Sequence, residues 1–403
     1  MAILFMIGTR PEVIKLAPLF LYFKNNDLPV FLCISEQHKN MLTEELFRYG
    51  CSPDFVLRFS KQPSNLNELF SILFEELNAF FKRHTFSWIF VQGDTATVCA
   101  SALAAFHAQI NIAHIEAGLR THDLAAPFPE EAYRQMVGRI TTLHYAPTKI
   151  AYDDLIAEGI SPKKIAVVGN TVIDSLKLRL AELTHNPTLV IPRLKTFVDH
   201  AITQKKKIFT LTAHRRESHG QPLETIFRTI KMFLEKNPDV VCIYPTHENP
   251  NVKRALLASE LISPAHTVPA HLREQLYFSP PMAQHDFLYA LSCSDFVVTD
   301  SGGVQEEAIA LQKNIICVRD ITERPEGIAL GLTVLTGANQ LLLEQALFNA
   351  LHKKAPLAEL LSSPYGSGNA CEKIFNHFMS FTQIKDLTLD QKTTIPAAES
   401  VVL

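Results

Sequence analysis

The chain has 403 residues, 47% of them hydrophobic and 20% charged, with a formal net charge of −3 at pH 7. That length favours two domains, each able to bury a core, in an ordinary soluble composition. The charge excludes a general nucleic-acid binder, and no apolar stretch reaches the ~18–20 residues of a membrane span, so neither nucleic acid nor membrane is an expected partner.

The chain opens on an apolar run, Ile3–Ile7, too short for a signal peptide and followed at once by "GTRPEVIK". Further strand-like runs follow at Val30–Ile34, Trp88–Val91, Ile112–Ile115 and Leu143–Tyr145. A second series begins at Ile165–Val168 and continues through Ile208–Leu211, Val240–Tyr244, Phe296–Thr299 and Ile315–Val318. Helical patterns such as Glu12–Phe23, Leu66–Phe81, Leu223–Leu234 and Gln284–Ser292 lie between them. Continuous apolar strands separated by helices predict parallel sheets covered on both faces.

The two series imply two Rossmann-like domains, 1–170 and 171–365, with a hinge near 170–195 around "VVGNTVIDSL" and the proline-bearing "AELTHNPTLVIPRLK". A last helical run, about 366–384, is expected to pack back on the first domain, and 385–403 to be a disordered tail. Seven scattered cysteines with no C-x-x-C pair read as reduced thiols of a cytoplasmic protein.

In open parallel sheets, ligands bind beyond the carboxyl ends of the strands. The unusual polar residues fall there: "GTRPE" after the first strand, "QGDT" after 88–91, "EAGLR" after 112–115, "TAHRRE" after 208–211, "DSGG" after 296–299 and "RDITERPE" after 315–318. Each has an ordinary structural reading, as a turn, a helix cap or a packed histidine. Their coincidence on the same edge of both sheets points to ligand binding in a cleft between the domains. No G-x-G-x-x-G follows a strand, no Walker motif is present, and no His/Cys/Asp/Glu spacing suits a metal, so neither a cofactor nor a metal is expected.

The stretch "FVVTDSGGVQEEA" raises a question of its own, because a glycine turn suited to an anion is followed within one helical turn by two glutamates. Taken in order with "GTRPEVIK", "QGDTATV", "HIEAGLRTHDLAAPFPEEAYR", "GNTVIDSL", "HRRES", "HENPNV" and "RDITERPE", it resembles the non-hydrolysing UDP-N-acetylglucosamine 2-epimerases from residue 3 to about 375. The resemblance implies a GT-B-like α/β fold with the active site in the interdomain cleft, a homodimer, and interconversion of UDP-GlcNAc and UDP-ManNAc for surface polysaccharide.

By the same resemblance Asp94, Glu116, Glu130 and His214 are catalytic. Ser301, Gly302 and Gly303 meet the diphosphate, and Glu307 accepts from the ribose hydroxyls. Arg10, Lys15, Arg215 and Arg324 supply positive charge, and Phe287 packs near the nucleoside. Glu306, about 100° around the helix from Glu307, is left a structural role. Gln37, His38, Lys39 and Met41 match a segment that lies, in the family, near a regulatory UDP-GlcNAc site.

The chain departs from the family at Tyr133, where Asn is usual, at Ala126, where Ser is common, and at Lys39, where Arg is usual. A hydrolysing relative that releases ManNAc, and a GT-B glycosyltransferase or UDP-sugar-binding protein, stay open as alternative readings.

Overall fold

The structure, a computed structural model, describes every residue except 36–38, 60, 354–362 and 383–403. The chain folds into two units, Met1–Asp174 with the chain from Gly366 onward, and Ser175–Tyr365.

The first unit is built on seven strands: β1 (Ile3–Ile7), β2 (Val30–Ser35), β3 (Phe55–Leu57), β4 (Trp88–Gln92), β5 (Asn111–Ile115), β6 (Leu143–Ala146) and β7 (Ile165–Val167). All pair in parallel, in the order β3-β2-β1-β4-β5-β6-β7. Every residue of β1 and β4 is buried, which is why these segments read as unbroken apolar runs rather than alternating ones. The second unit carries β8 (Lys207–Thr212), β9 (Val240–Pro245), β10 (Leu276–Ser279), β11 (Phe296–Thr299), β12 (Asn314–Cys317) and β13 (Thr333–Leu335). They form a second parallel sheet, in the order β10-β9-β8-β11-β12-β13.

One expectation is corrected. The run at Ile165 does not open the second series; it pairs with β6 and closes the first sheet. The chain passes from the first unit to the second at Asp174–Ser175, inside the helix Thr171–His185. Three short strands, β3, β10 and β13, escape the sequence reading because three- or four-residue runs at a sheet's edge carry too little periodicity. Among the described residues no helix is long and apolar enough to cross a membrane.

Strand order reverses between β1 and β4 in the first sheet and between β8 and β11 in the second. At such a switch point, helices leave neighbouring strands toward opposite faces and open a crevice at the strand ends. The segments that begin there are "GTRPE" and "GDT" in one sheet, "AHRRE" and "DSGG" in the other.

The helix Ala370–Thr382 returns to the first unit, where Phe378 packs against Phe23, Trp88 and Phe90. Asp174 holds its first turn by accepting from the N–H groups of Ala370 and Cys371 at 3.1 and 3.0 Å. Phe378→Ala should therefore lower the stability of the first unit by roughly 3–5 kcal/mol. Urea unfolding followed through Trp88, the chain's one tryptophan, 5.1 Å from the Phe378 ring, measures this.

Candidate functional site

In the first unit the polar cluster is built around Glu116. It follows β5 with φ of +65°, a left-handed conformation uncommon for glutamate, and its residue is only 7% exposed. Lys15, on the helix Arg10–Asn25, reaches both carboxylate oxygens at 2.7 and 2.6 Å. Asn170 donates to Oε1 at 3.0 Å, and Gln92, the last residue of β4, donates to Oε2. A buried carboxylate is tolerated when it is paired and hydrogen-bonded. These donors come from β4, from the helix after β1 and from the segment after β7, so Glu116 is fixed by three separate parts of the unit.

Asp94 stands on the next loop, and Gly93 brings the two close, since a Cβ on that glycine would lie 3.9 Å from the Glu116 Oε2. Asp94 is about a quarter exposed and is paired through Oδ2 with Arg134 Nε and a second guanidinium nitrogen, at 2.8 and 2.7 Å. Arg134 also contacts Glu131 at 3.1 Å. Glu131 is fully buried and accepts from the backbone N–H groups of Thr121 and His122, which ties down the loop that precedes it. Its neighbour Glu130 opens the helix Glu130–Ile140 and is half-buried. Asp94 and Glu116 thus follow neighbouring strands in different surroundings, one carboxylate open and held by a guanidinium, the other enclosed by an ammonium and two amides.

Arg10 pairs with the buried Glu45 at 3.0 Å, and Arg48 shares that carboxylate. Gln37 and His38 lie outside the described residues, and of Lys39 and Met41 only the place in the helix Lys39–Arg48 is described.

In the second unit Asp300 binds two loops together. It is fully buried, and its Oδ2 accepts from the backbone N–H groups of His214 and Arg215 at 2.5 and 2.7 Å. Its Oδ1 lies 3.4 Å from His214 Nδ1, so one carboxylate holds the turn and stands beside the imidazole. The His214 ring stacks on His247 at 5.0 Å. Burial, and the neighbouring His214, hold His247 below the ordinary histidine range. Among the described residues no group of three His, Cys, Asp or Glu side chains is placed to hold a metal.

Ser301 precedes the helix Gly302–Ala310, whose first N–H groups have no partner within the helix. A Cβ on Gly302 would stand 2.8 Å from Arg324 Cζ, so the guanidinium packs directly against that glycine. The space around Gly303 is open. Arg324 is buried and bound to Glu306 at 2.8 Å and to Glu323 at 2.6 Å. Glu323 also pairs with Arg319 at 2.7 Å and lies 3.9 Å from Arg215. Glu306 is therefore the counter-ion of Arg324. Glu307 is buried, on the same helix, and Phe287 is half-buried on the helix Gln284–Cys293.

These arrangements meet a match over residues 23–379 to the family described as UDP-N-acetylglucosamine 2-epimerase. The chain belongs to the UDP-N-acetylglucosamine 2-epimerase family. It is 36% identical over 380 residues to the UDP-N-acetylglucosamine 2-epimerase of Campylobacter jejuni, covering 93% of this chain and 96% of that one. The crystal structure of the Neisseria meningitidis UDP-GlcNAc 2-epimerase bound to UDP-GlcNAc matches it with a TM-score of 0.83 at 33% identity, over 94% of this chain and all of that one. The Methanocaldococcus jannaschii UDP-GlcNAc 2-epimerase in complex with UDP-GlcNAc and UDP matches with a TM-score of 0.81 at 30% identity, over 94% and 100% of the two chains. The fold of this epimerase-family chain is accordingly GT-B-like, with two Rossmann-like parallel sheets.

The sequence reading missed the residues that hold its candidates in place: Gln92, Asn170, Arg134, Glu131, Asp300, Glu323 and Glu12. The last is a further buried acid of the epimerase fold. Glu12 accepts from Gly8 N–H at 2.6 Å and from the hydroxyls of Thr9 and Thr95 at 2.9 and 2.8 Å, which joins the loop after β1 to the loop of Asp94. Burial pushes its pKa from 4.5 up to about 7, with a smaller push from Asp94, against the pull of its three donors. The folded chain thus holds a proton there that the unfolded chain has lost, and stability falls as pH rises from about 4.5 to 7. Glu12→Gln removes that term, so the stability of the variant relative to wild type should climb by about 3 kcal/mol over this window and stay level above it. Urea unfolding at pH 5, 6, 7 and 8 measures the difference.

Proposed function

We propose that this chain is a non-hydrolysing UDP-GlcNAc 2-epimerase. It interconverts UDP-GlcNAc and UDP-ManNAc in the cytoplasm, acts as a homodimer and supplies ManNAc units for surface polysaccharide. The observation that carries the reading is the pair Asp94 and Glu116 after the neighbouring strands β4 and β5, one carboxylate held by Arg134 and the other by Lys15. Inverting C2 of the sugar calls for a base on each of its faces. The relatives solved with UDP-GlcNAc or UDP support the choice of ligand.

The proton at C2 is acidified by no adjacent carbonyl, and no nicotinamide fingerprint stands after a strand. Elimination answers both facts. A carboxylate takes the C2 proton, the C2–H electron pair becomes the C1=C2 double bond, and the C1–O bond breaks with its electrons leaving on UDP. Re-addition of the phosphate oxygen to C1, with protonation of C2 from the other face, completes the inversion. Asp94, Glu116 and Glu130 are the acids assigned to these transfers. Lys15 holds the Glu116 carboxylate in place through both of its oxygens.

UDP belongs to the second unit in this reading. Gly302 and Gly303 offer N–H groups, and Ser301 its hydroxyl, to the diphosphate at a helix N-terminus. Glu307 accepts from the ribose hydroxyls, so anion and acid serve different parts of one ligand. Phe287 lies near the nucleoside. His214 and Arg215, held by Asp300, stabilise the departing diphosphate. Arg324 is paired with Glu306 and Glu323, which gives it a supporting place against Gly302 in addition to its long-range charge. Arg10 adds positive charge from the first unit. The segment of Gln37, His38, Lys39 and Met41 is assigned to a weakened second UDP-GlcNAc site, because lysine at 39 offers charge without the planar fork of arginine.

Incubation with UDP-GlcNAc, followed by NMR, tests the reading. UDP-ManNAc approaching a fixed ratio with substrate is the expected outcome. Free ManNAc with UDP would assign the hydrolysing reaction instead. Unchanged sugar nucleotide that still binds would leave a transferase or a UDP-sugar-binding protein.

A further inference from the structure

Asn170 sits in "VVGNTVIDSL", is 2% exposed, and has both ends of its side-chain amide engaged. Its Oδ1 accepts from the N–H of Val172 at 3.0 Å, which caps the helix Thr171–His185, and its backbone carbonyl accepts from Ile173. Its Nδ2 donates to Glu116 Oε1 at 3.0 Å. The two bonds fix the orientation of the amide, since a flip would set oxygen against carboxylate and NH₂ against N–H. One side chain therefore joins Glu116 to the first turn of the helix inside which the chain leaves the first unit. The segment is itself anchored, because Val168 donates to Ala146 of β6 and Gly366 lies close against Gly169.

We propose that Asn170 is a positioning residue for Glu116, a role that rests on the epimerase reading above. It holds the carboxylate in the angle set by its left-handed backbone, and it keeps that carboxylate ionised by giving one oxygen a neutral donor. Helix capping alone would be served equally by aspartate. Asparagine is required only if the donor toward Glu116 matters.

Asn170→Asp separates the two roles, because it keeps the cap and turns an oxygen toward Glu116. The pair then has to share a proton. The expected result is a kcat lower by roughly 10–100-fold with KM for UDP-GlcNAc little changed. The acid limb of the kcat–pH profile should move to higher pH. Asn170→Ser, which caps without reaching Glu116 and adds no charge, should lose kcat with a smaller shift of the acid limb in the same direction, and it serves if the aspartate variant does not fold. Wild-type kcat and an unmoved pH profile in Asn170→Asp would overturn the proposal. A wild-type enzyme that forms no product would sink the epimerase reading instead. The contact is then judged by stability alone, where Asn170→Asp should lose melting temperature relative to wild type between pH 5 and 8. Parallel curves there would overturn it.

Discussion

A carboxylate enclosed to 7% exposure has to be met by donors, and the first unit is arranged to supply them. Lys15 comes from the helix after β1, Gln92 from the end of β4, and Asn170 from the segment after β7. None is near Glu116 in sequence. The seven-stranded sheet and its reversal at β1 and β4 bring them to one point, and the glutamate's own backbone turns to φ +65° to meet them. Removing one partner from such a buried pair typically costs about 3–5 kcal/mol, because it strands a charge. Chemistry and folding thus draw on the same contacts.

The second unit solves a related problem with opposite sign. Arg215, Arg319 and Arg324 are gathered near the loop of Ser301–Gly303, and Glu306 and Glu323 hold them in place. Asp300 does the same for the backbone of His214 and Arg215. Acids in the midst of an anion-suited loop are thereby explained. They fix the cations and the turn. In both sheets these devices gather at the carboxyl ends of the strands.

The fully buried strands were legible because a strand covered on both faces is apolar along nearly its whole length, as β1, β4 and β11 are. Edge strands such as β3 and β13 were not, because three residues carry no period. Assignment of Ile165–Val167 to the first sheet is a matter of pairing, which composition does not encode. Among the site residues, those with unusual chemistry at strand ends stood out: Asp94, Glu116, His214 and the glycines. Their partners did not. Gln92, Arg134 and Asn170 sit inside the same short motifs, yet an amide or an arginine in a motif does not announce which carboxylate it will face. Glu12 looked like a helix-start acid, and only its burial beneath Gly8, Thr9 and Thr95 gives it another meaning.

The central claim is that carboxylates of the first unit move the proton at C2 of the sugar. The most direct measurement is turnover of UDP-GlcNAc in D₂O, with the product isolated and C2 examined by NMR. A base that exchanges its proton with solvent between the two faces predicts one deuterium at C2 of UDP-ManNAc, and its gradual arrival at C2 of the recovered UDP-GlcNAc. UDP-ManNAc formed in D₂O with protium retained at C2 throughout would contradict the account.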